Sequence, residues 1–216
     1  VETSLSYTLI YTGALHGDLD LLPRLYTFLR ALRAEYGADR TLTFDIGEAC
    51  VPNSWHCEVT GGRSMPIALD GMGFDAVNVS AMFSDEARAK INESVRIALV
   101  DDDHPYEADD LRLETAPSDV TDLRLHVRLI PAADTALDAA LDSNVLHLRG
   151  VSAGEIGIVT VRRERGTWTL ISAAVYAMPP NTRPDPTIAA VVEFVVSEAK
   201  YAQKRKEQKG AADHPE

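Results

Sequence analysis

Between Ser6 and Val100 the chain alternates short apolar runs with amphipathic helical stretches, and that alternation limits the fold more than any other feature. "SYTLIY", "RTLTFDIG", "FDAVNVS" and "RIALV" are rich in β-branched or aromatic residues and bounded by turn formers, so each predicts a buried strand. After the first, Leu22, Leu25, Leu29, Leu32 and Tyr36 recur at helical spacing, with Asp18 to cap the helix, Pro23 early in it and Gly37 to stop it. "SMPIALDGMG" predicts a short helix closed by glycine, and "SDEARAKINESV" a helix capped by Ser84. Glu48 to Arg63 reads as irregular. Strands that alternate with helices pair in parallel, because each helix supplies the crossover that a parallel pair requires. The expected class is α/β, with a mixed, largely parallel sheet layered with helices.

The second half reads differently. "DDDHPYEADD" predicts an acidic loop, "LRLHVRLIPA" a strand, "ADTALDAALD" a short helix and "NVLHLRG" a strand. "EIGIVTVRRERGTWTLISAAVYAM" predicts an antiparallel hairpin turning at Arg165 and Gly166. A helix follows from Pro186 to about Lys204, with Val191, Val192, Phe194, Val195 and Ala199 as its apolar face. No repeat or linker divides the chain of 216 residues, which is long enough to bury one core. Residues 1–204 are expected to form a single domain, and 205–216 a charged, disordered tail.

Net charge excludes several functions. At -12, with a pI near 4.9, the chain lacks the clustered Lys and Arg that a nucleic-acid groove or an anionic membrane surface requires. No apolar run reaches the ~18–20 residues of a membrane helix, so no membrane insertion is expected. The cytoplasm is the default location. An exported form stays open, because the chain begins at Val1 rather than Met.

Three short motifs carry the functional reading. "YTGALHG" joins the first strand to the first helix, "FDIGE" ends the second strand, and "GFDAVNVSAMF" contains the third. In order and spacing, these resemble the calcineurin-like metallophosphoesterases, in particular the N-terminal catalytic domain of the 5′-nucleotidase type. Those proteins carry Thr-Asn-Asp-x-His-Gly, then Asp-x-Gly-Asp, then a Gly-Asn-His-Glu segment. The closing strands and the Pro-Asp-Pro before the last helix are similar too. The resemblance implies a truncated version of the family's four-layer sandwich. It also implies a site where two metal ions clamp a phosphate ester and activate water.

Residue by residue, that site is depleted. The first-loop Asp falls on Ala14, the first-loop His on His16 and the bridging Asp on Glu48. The Asn-His pair and its neighbours fall on Ser80, Ala81, Met82 and Phe83. His16, Asp45 and Glu48 remain as vestigial metal candidates. The resemblance therefore implies a degenerate member with no catalytic residue and no cofactor, acting through a protein partner or a second copy. The alternative is a hydrolase rebuilt around one divalent ion (Zn, Mn or Fe). Cys50, His56 and Cys57 lie close to Glu48 in sequence and offer either a metal set or a disulfide, with part-buried thiols and an exposed histidine as the plainest reading. Trp55, Met82 and Phe83 read as a cleft or partner surface, or as core. His126 and His147 read as core or rim residues of strands.

Overall fold

The computed structural model describes residues 5–37, 40–80, 82–83, 85–117, 122–131 and 138–212. The first half folds as its periodicity requires. β1 (Leu5–Thr12), α1 (Leu22–Tyr36), β2 (Thr41–Asp45), α2 (Trp55–Thr60), α3 (Ser64–Gly71), β3 (Ala76–Asn78), α4 (Asp85–Asn92) and β4 (Ala98–Val100) follow one another. The four strands pair in parallel, in chain order. The stretch expected to be irregular contains α2. Asp18 does not sit at the helix boundary; it accepts the Leu21 N–H at 3.0 Å, one turn early. The expected cap at Ser84 lies outside the described residues.

A hairpin closes the sheet on the other side. β10 (Glu155–Glu164) runs antiparallel to β1, and β11 (Thr167–Ala177) runs antiparallel to β10, giving the order β11-β10-β1-β2-β3-β4. The turn uses Arg165 and Gly166, both at positive φ, which suits the twist of a tight hairpin.

The segment between Val100 and Glu155 forms a second sheet, in which the strands within "LRLHVRLIPA" and "NVLHLRG" are the expected ones and the others are not. It contains β5 (Tyr106–Ala108), β6 (Leu111–Glu114), β7 (Leu125–Arg128), β8 (Ala140–Asp142) and β9 (Val145–His147), ordered β5-β6-β7-β9-β8. β5 occupies the expected acidic loop. Ala140 to Asp142 are strand rather than the end of the expected helix; residues 132–137 lie outside the described residues. His126 is buried in β7, its ring nitrogens 3.1 Å from Glu114 and 3.1 Å from Asp122, whereas His147 is exposed.

The two faces of the large sheet carry separate cores. One face packs Ile10, Val77 and Ile158 against Leu25 and Leu29 of α1, Met65 and Leu69 of α3, and the last helix, α5 (Pro186–Ala212). The other packs Leu9, Tyr11 and Phe44 against Leu113, Leu125 and Val127 of the small sheet. The layers thus run helices, six-stranded sheet, five-stranded sheet.

α5 starts at Pro186, as expected, and runs on past Lys204. Asp185 starts it, accepting the N–H groups of Thr187 (2.9 Å) and Ile188 (3.2 Å), while Arg30 holds its other oxygen at 3.1 Å. Its core face is Ile188, Val192, Val195 and Ala199; Phe194 is exposed. Residues 205–212, expected as a tail, continue the helix.

Tyr11 ties the sheets together. Its ring stacks on Phe44 at 6.0 Å and its hydroxyl donates to the Arg149 carbonyl at 3.0 Å. Burial pushes that hydroxyl up to about 12. The ring lies flat on Gly157 of β10, where any Cβ would overlap it. Gly157→Ala is expected to cost about 1–3 kcal/mol through overpacking, read as a lower urea midpoint at unchanged slope. An unchanged midpoint would show that the ring is free to move aside.

Candidate functional site

The chemistry-bearing motifs meet at the carboxyl ends of β1, β2 and β3. The β1–β2 pairing does not stop where the strands stop. Past Thr12 and Asp45, Ile46 N–H donates to Thr12 O (2.8 Å) and Ala14 N–H to Gly47 O (3.0 Å). His16 N–H then donates to Glu48 O (2.8 Å) and Gly17 N–H to Ala49 O (2.8 Å). The two loops are zipped by their backbones. Ala14, His16 and Glu48 adopt positive φ (51°, 52° and 58°), a conformation that side chains other than glycine rarely hold unless the surroundings impose it.

The side chains follow the backbone. His16 Nε2 lies 3.1 Å from Glu48 Oε2, each side chain half exposed. Asp45 is fully buried, accepting the Thr12 hydroxyl (2.8 Å) and the Gly47 N–H (2.9 Å). Desolvation raises its carboxyl to about 7 despite those two bonds, which pull the other way. Asn78 donates to Ile46 O and Leu129 O (both 2.9 Å) and accepts the Ser80 N–H (2.9 Å). One side chain therefore joins β3, the β2 loop and the end of β7.

α2 and α3 cover this end of the sheet. Cys50 and Cys57 are joined in a disulfide. That removes the Cys-His-Cys metal candidate, since a metal requires thiolates. His56 is buried rather than exposed. Its Nε2 lies 2.8 Å from the Gly17 carbonyl and 2.8 Å from Ser54 Oγ, and its Nδ1 2.7 Å from Ser64 Oγ. A carbonyl only accepts, so Nε2 carries a proton toward Gly17 O, and Nδ1 pairs with the Ser64 hydroxyl. His56 thus clamps the first loop onto α2 and α3. Gly17, at φ 77°, leaves no room for a Cβ beside Ser54.

The remaining expected residues disperse. Trp55 is 43% exposed and meets the His56 ring edge-on. Met82 lines a cavity of about 490 Å³ with Cys50, Val51, Pro52, Cys57 and Glu58. Phe83 is half-buried against the helical core and Gly62. Ala81 lies outside the described residues. Asn78 and Ser64 join the site without having been expected there. A polar residue within the apolar run of β3 is the signal that points to Asn78; Ser64 has none.

The donors do not fit a pair of metal ions. Ala14 offers no ligand, Asp45 is turned inward onto Thr12 and Gly47, and Asn78 spends its amide on carbonyls. Among the described residues, no three or more His, Cys, Asp or Glu side chains gather to hold an ion. His16 and Glu48 are the exposed pair that a single ion could reach.

The architecture has known counterparts. The calcineurin-like phosphoesterase YfkN from Bacillus subtilis superposes with a TM-score of 0.62 at 9% identity, covering 93% of this chain and 100% of that one. NAD nucleotidase NadN from Haemophilus influenzae gives 0.59 at 8% identity, over 94% of this chain and 61% of that one. The Thermus thermophilus sulfate thiohydrolase SoxB, solved with glycerol, gives 0.54 at 12% identity, over 89% and 60%. The chain thus spans under two thirds of the length of NadN and SoxB. No protein-family model and no characterised protein matches the sequence itself. The fold is that of the calcineurin-like phosphoesterases.

Asp45 supplies a pH test. A carboxyl raised from 3.8 to about 7 binds more protons folded than unfolded between those values. Its contribution to stability is therefore full below about pH 4 and is lost as pH rises through about 7. Each tenfold difference in proton affinity between the two states is worth about 1.4 kcal/mol. Asp122, held low by Arg124, acts in the opposite sense on acidification. The Asp45 contribution is thus read as a difference: relative to Asp45→Asn, the native protein should lose stability from pH 4 to 7 in urea titrations. Parallel curves would mean that Asp45 stays ionised.

Proposed function

We propose that this chain is a non-hydrolytic form of the phosphoesterase fold that works by binding a protein partner or a second copy of itself. One observation carries the reading: the groups placed to hold catalytic metal are committed to each other and to the backbone. His16 faces Glu48, Asp45 faces Thr12 and Gly47, and Ala14 replaces a carboxylate. Catalysis by two ions depends on open coordination positions and fixed geometry, and neither survives such a rearrangement. Exposed Trp55, and Met82 on the cavity wall, leave apolar groups at the end of the sheet that a partner could cover. The disulfide supports an exported setting over the cytoplasm.

A second reading rests on the same pair of residues. His16 and Glu48 are half exposed and 3.1 Å apart, so they could part to bind one Zn, Mn or Fe ion in a rebuilt hydrolase. Metal content and turnover separate the two. The binding reading expects under about 0.1 metal per chain after purification, because a working site must fill. It also expects no Mn²⁺-dependent hydrolysis of p-nitrophenyl phosphate, bis-p-nitrophenyl phosphate or nucleotides. Stoichiometric metal, with turnover abolished by His16→Ala, would establish the hydrolase instead.

A further inference from the structure

Each sheet has two edges, and three of the four are blunted. β4, β5 and β8 are three residues long, and β5 and β8 carry Glu107 and Asp142. The fourth edge, β11, is eleven residues long ("TWTLISAAVYA") and contains no charged residue and no proline. A long edge strand offers a row of backbone N–H and C=O groups to any other strand, and proteins ordinarily shorten, charge or cover it. Among the described residues, no strand pairs with the outer side of this one. Ile171, Ser172, Ala173 and Ala174 are all exposed, and successive residues of a strand point to opposite faces. The helix layer and the small sheet therefore both stop short of the middle of β11. We propose that β11 pairs antiparallel with β11 of a second copy, joining two six-stranded sheets across a two-fold axis at Ser172.

Charge selects both the occupant and the direction. The first half of β11 is flanked by base. Arg163 and Arg162 lie opposite Trp168 and Thr169 on β10, and Arg165 forms the turn. These three outnumber Glu164 and the Asp110 that Arg163 holds at 2.8 Å. The second half is flanked by acid. Asp138 lines a cavity with Ala173, Ala174 and Val175, and Glu155 lies opposite Ala177. These two outnumber Arg149, which pairs with Asp138 at 3.5 Å. An antiparallel pair centred on Ser172 sets the basic half of each copy against the acidic half of the other. A parallel pair, or an antiparallel pair of the second halves alone, sets like charge against like. The strand is thus complementary to itself, as a closed two-fold contact requires.

The bulge in β11 suits the same centre. The strand carries one residue more than β10 between Leu170 and Ser172, and that residue is Ile171, 47% exposed. In the centred pair Ile171 lies opposite Ala173 of the second copy, whose methyl group leaves room for it. The pairing uses none of the strand-end groups, so it is independent of whether the chain holds metal or hydrolyses phosphate esters.

Sedimentation of the full native chain should show a mass that rises with concentration from 23.6 kDa toward twice that value. Ala174→Lys places a charge on the edge of both copies at once. It should raise the dimer dissociation constant about tenfold or more, with the thermal midpoint of dilute protein unchanged. Cysteines test the register. Residues directly opposite in an antiparallel pair lie about 4.5–5.5 Å apart at Cα, within disulfide reach. Ser172→Cys should therefore cross-link to its own copy under mild oxidation. Thr169→Cys, also exposed, lies about 20 Å from its copy and should not. A native mass that stays at one chain at every concentration would overturn the proposal. So would a dimer that Ala174→Lys leaves intact, or cross-linking of Thr169→Cys as readily as of Ser172→Cys.

Discussion

The backbone zip between the loops that follow β1 and β2 determines most of what happens at the strand ends of this fold. Parallel strands usually separate at their carboxyl ends, and the crevice they open is where α/β proteins place ligands. Here the hydrogen bonds continue from Thr12 to Gly17 on one side and from Ile46 to Ala49 on the other. Closing the crevice forces Ala14, His16 and Glu48 into left-handed backbone, draws Asp45 under Thr12, and places Gly17 O within reach of His56. In this chain, hydrogen bonds and one buried histidine cross-link these loops.

The disulfide and His56 divide the work of holding α2. Cys50–Cys57 closes a short loop, worth about 2.5 kcal/mol in the chain-entropy picture. His56 ties the same helix to the first loop and to α3 through buried hydrogen bonds. The Glu58 carbonyl of the same helix also accepts from Lys206 of α5 at 3.2 Å, so the disulfide is one of several restraints on α2.

Legibility in the sequence tracks local periodicity. β1 to β4 and their helices are readable because apolar runs and 3.6-residue spacing lie within single segments. Ala14, His16 and Glu48 are placed by motif spacing, and their juxtaposition follows from the parallel pairing. The small sheet is readable only in part: β7 and β9 fall in stretches that read as strands, whereas β5, β6, β8 and the pairing do not show. Its strands are three or four residues long, and β6, β7 and β9 pair across gaps that no local pattern records. His56 looks exposed in the sequence because the partner that buries it, Gly17 O, is 39 residues away. Phe194 looks like core because hydrophobicity alone cannot tell Ile188, Val192 and Val195 from a neighbour turned outward. Cys50 and Cys57 allow two chemistries at one spacing, and only their placement on α2 and its preceding loop chooses between them.

If hydrogen bonds rather than metal hold the strand-end loops, the amides of Ala14, His16, Gly17 and Ile46 will report it, because these four N–H groups form the zip. Hydrogen exchange at all four should be slow in protein stripped with EDTA, and unchanged on adding Zn²⁺ or Mn²⁺. Fast exchange at these amides in stripped protein, with protection appearing only when metal is restored, would show instead that an ion holds the loops together.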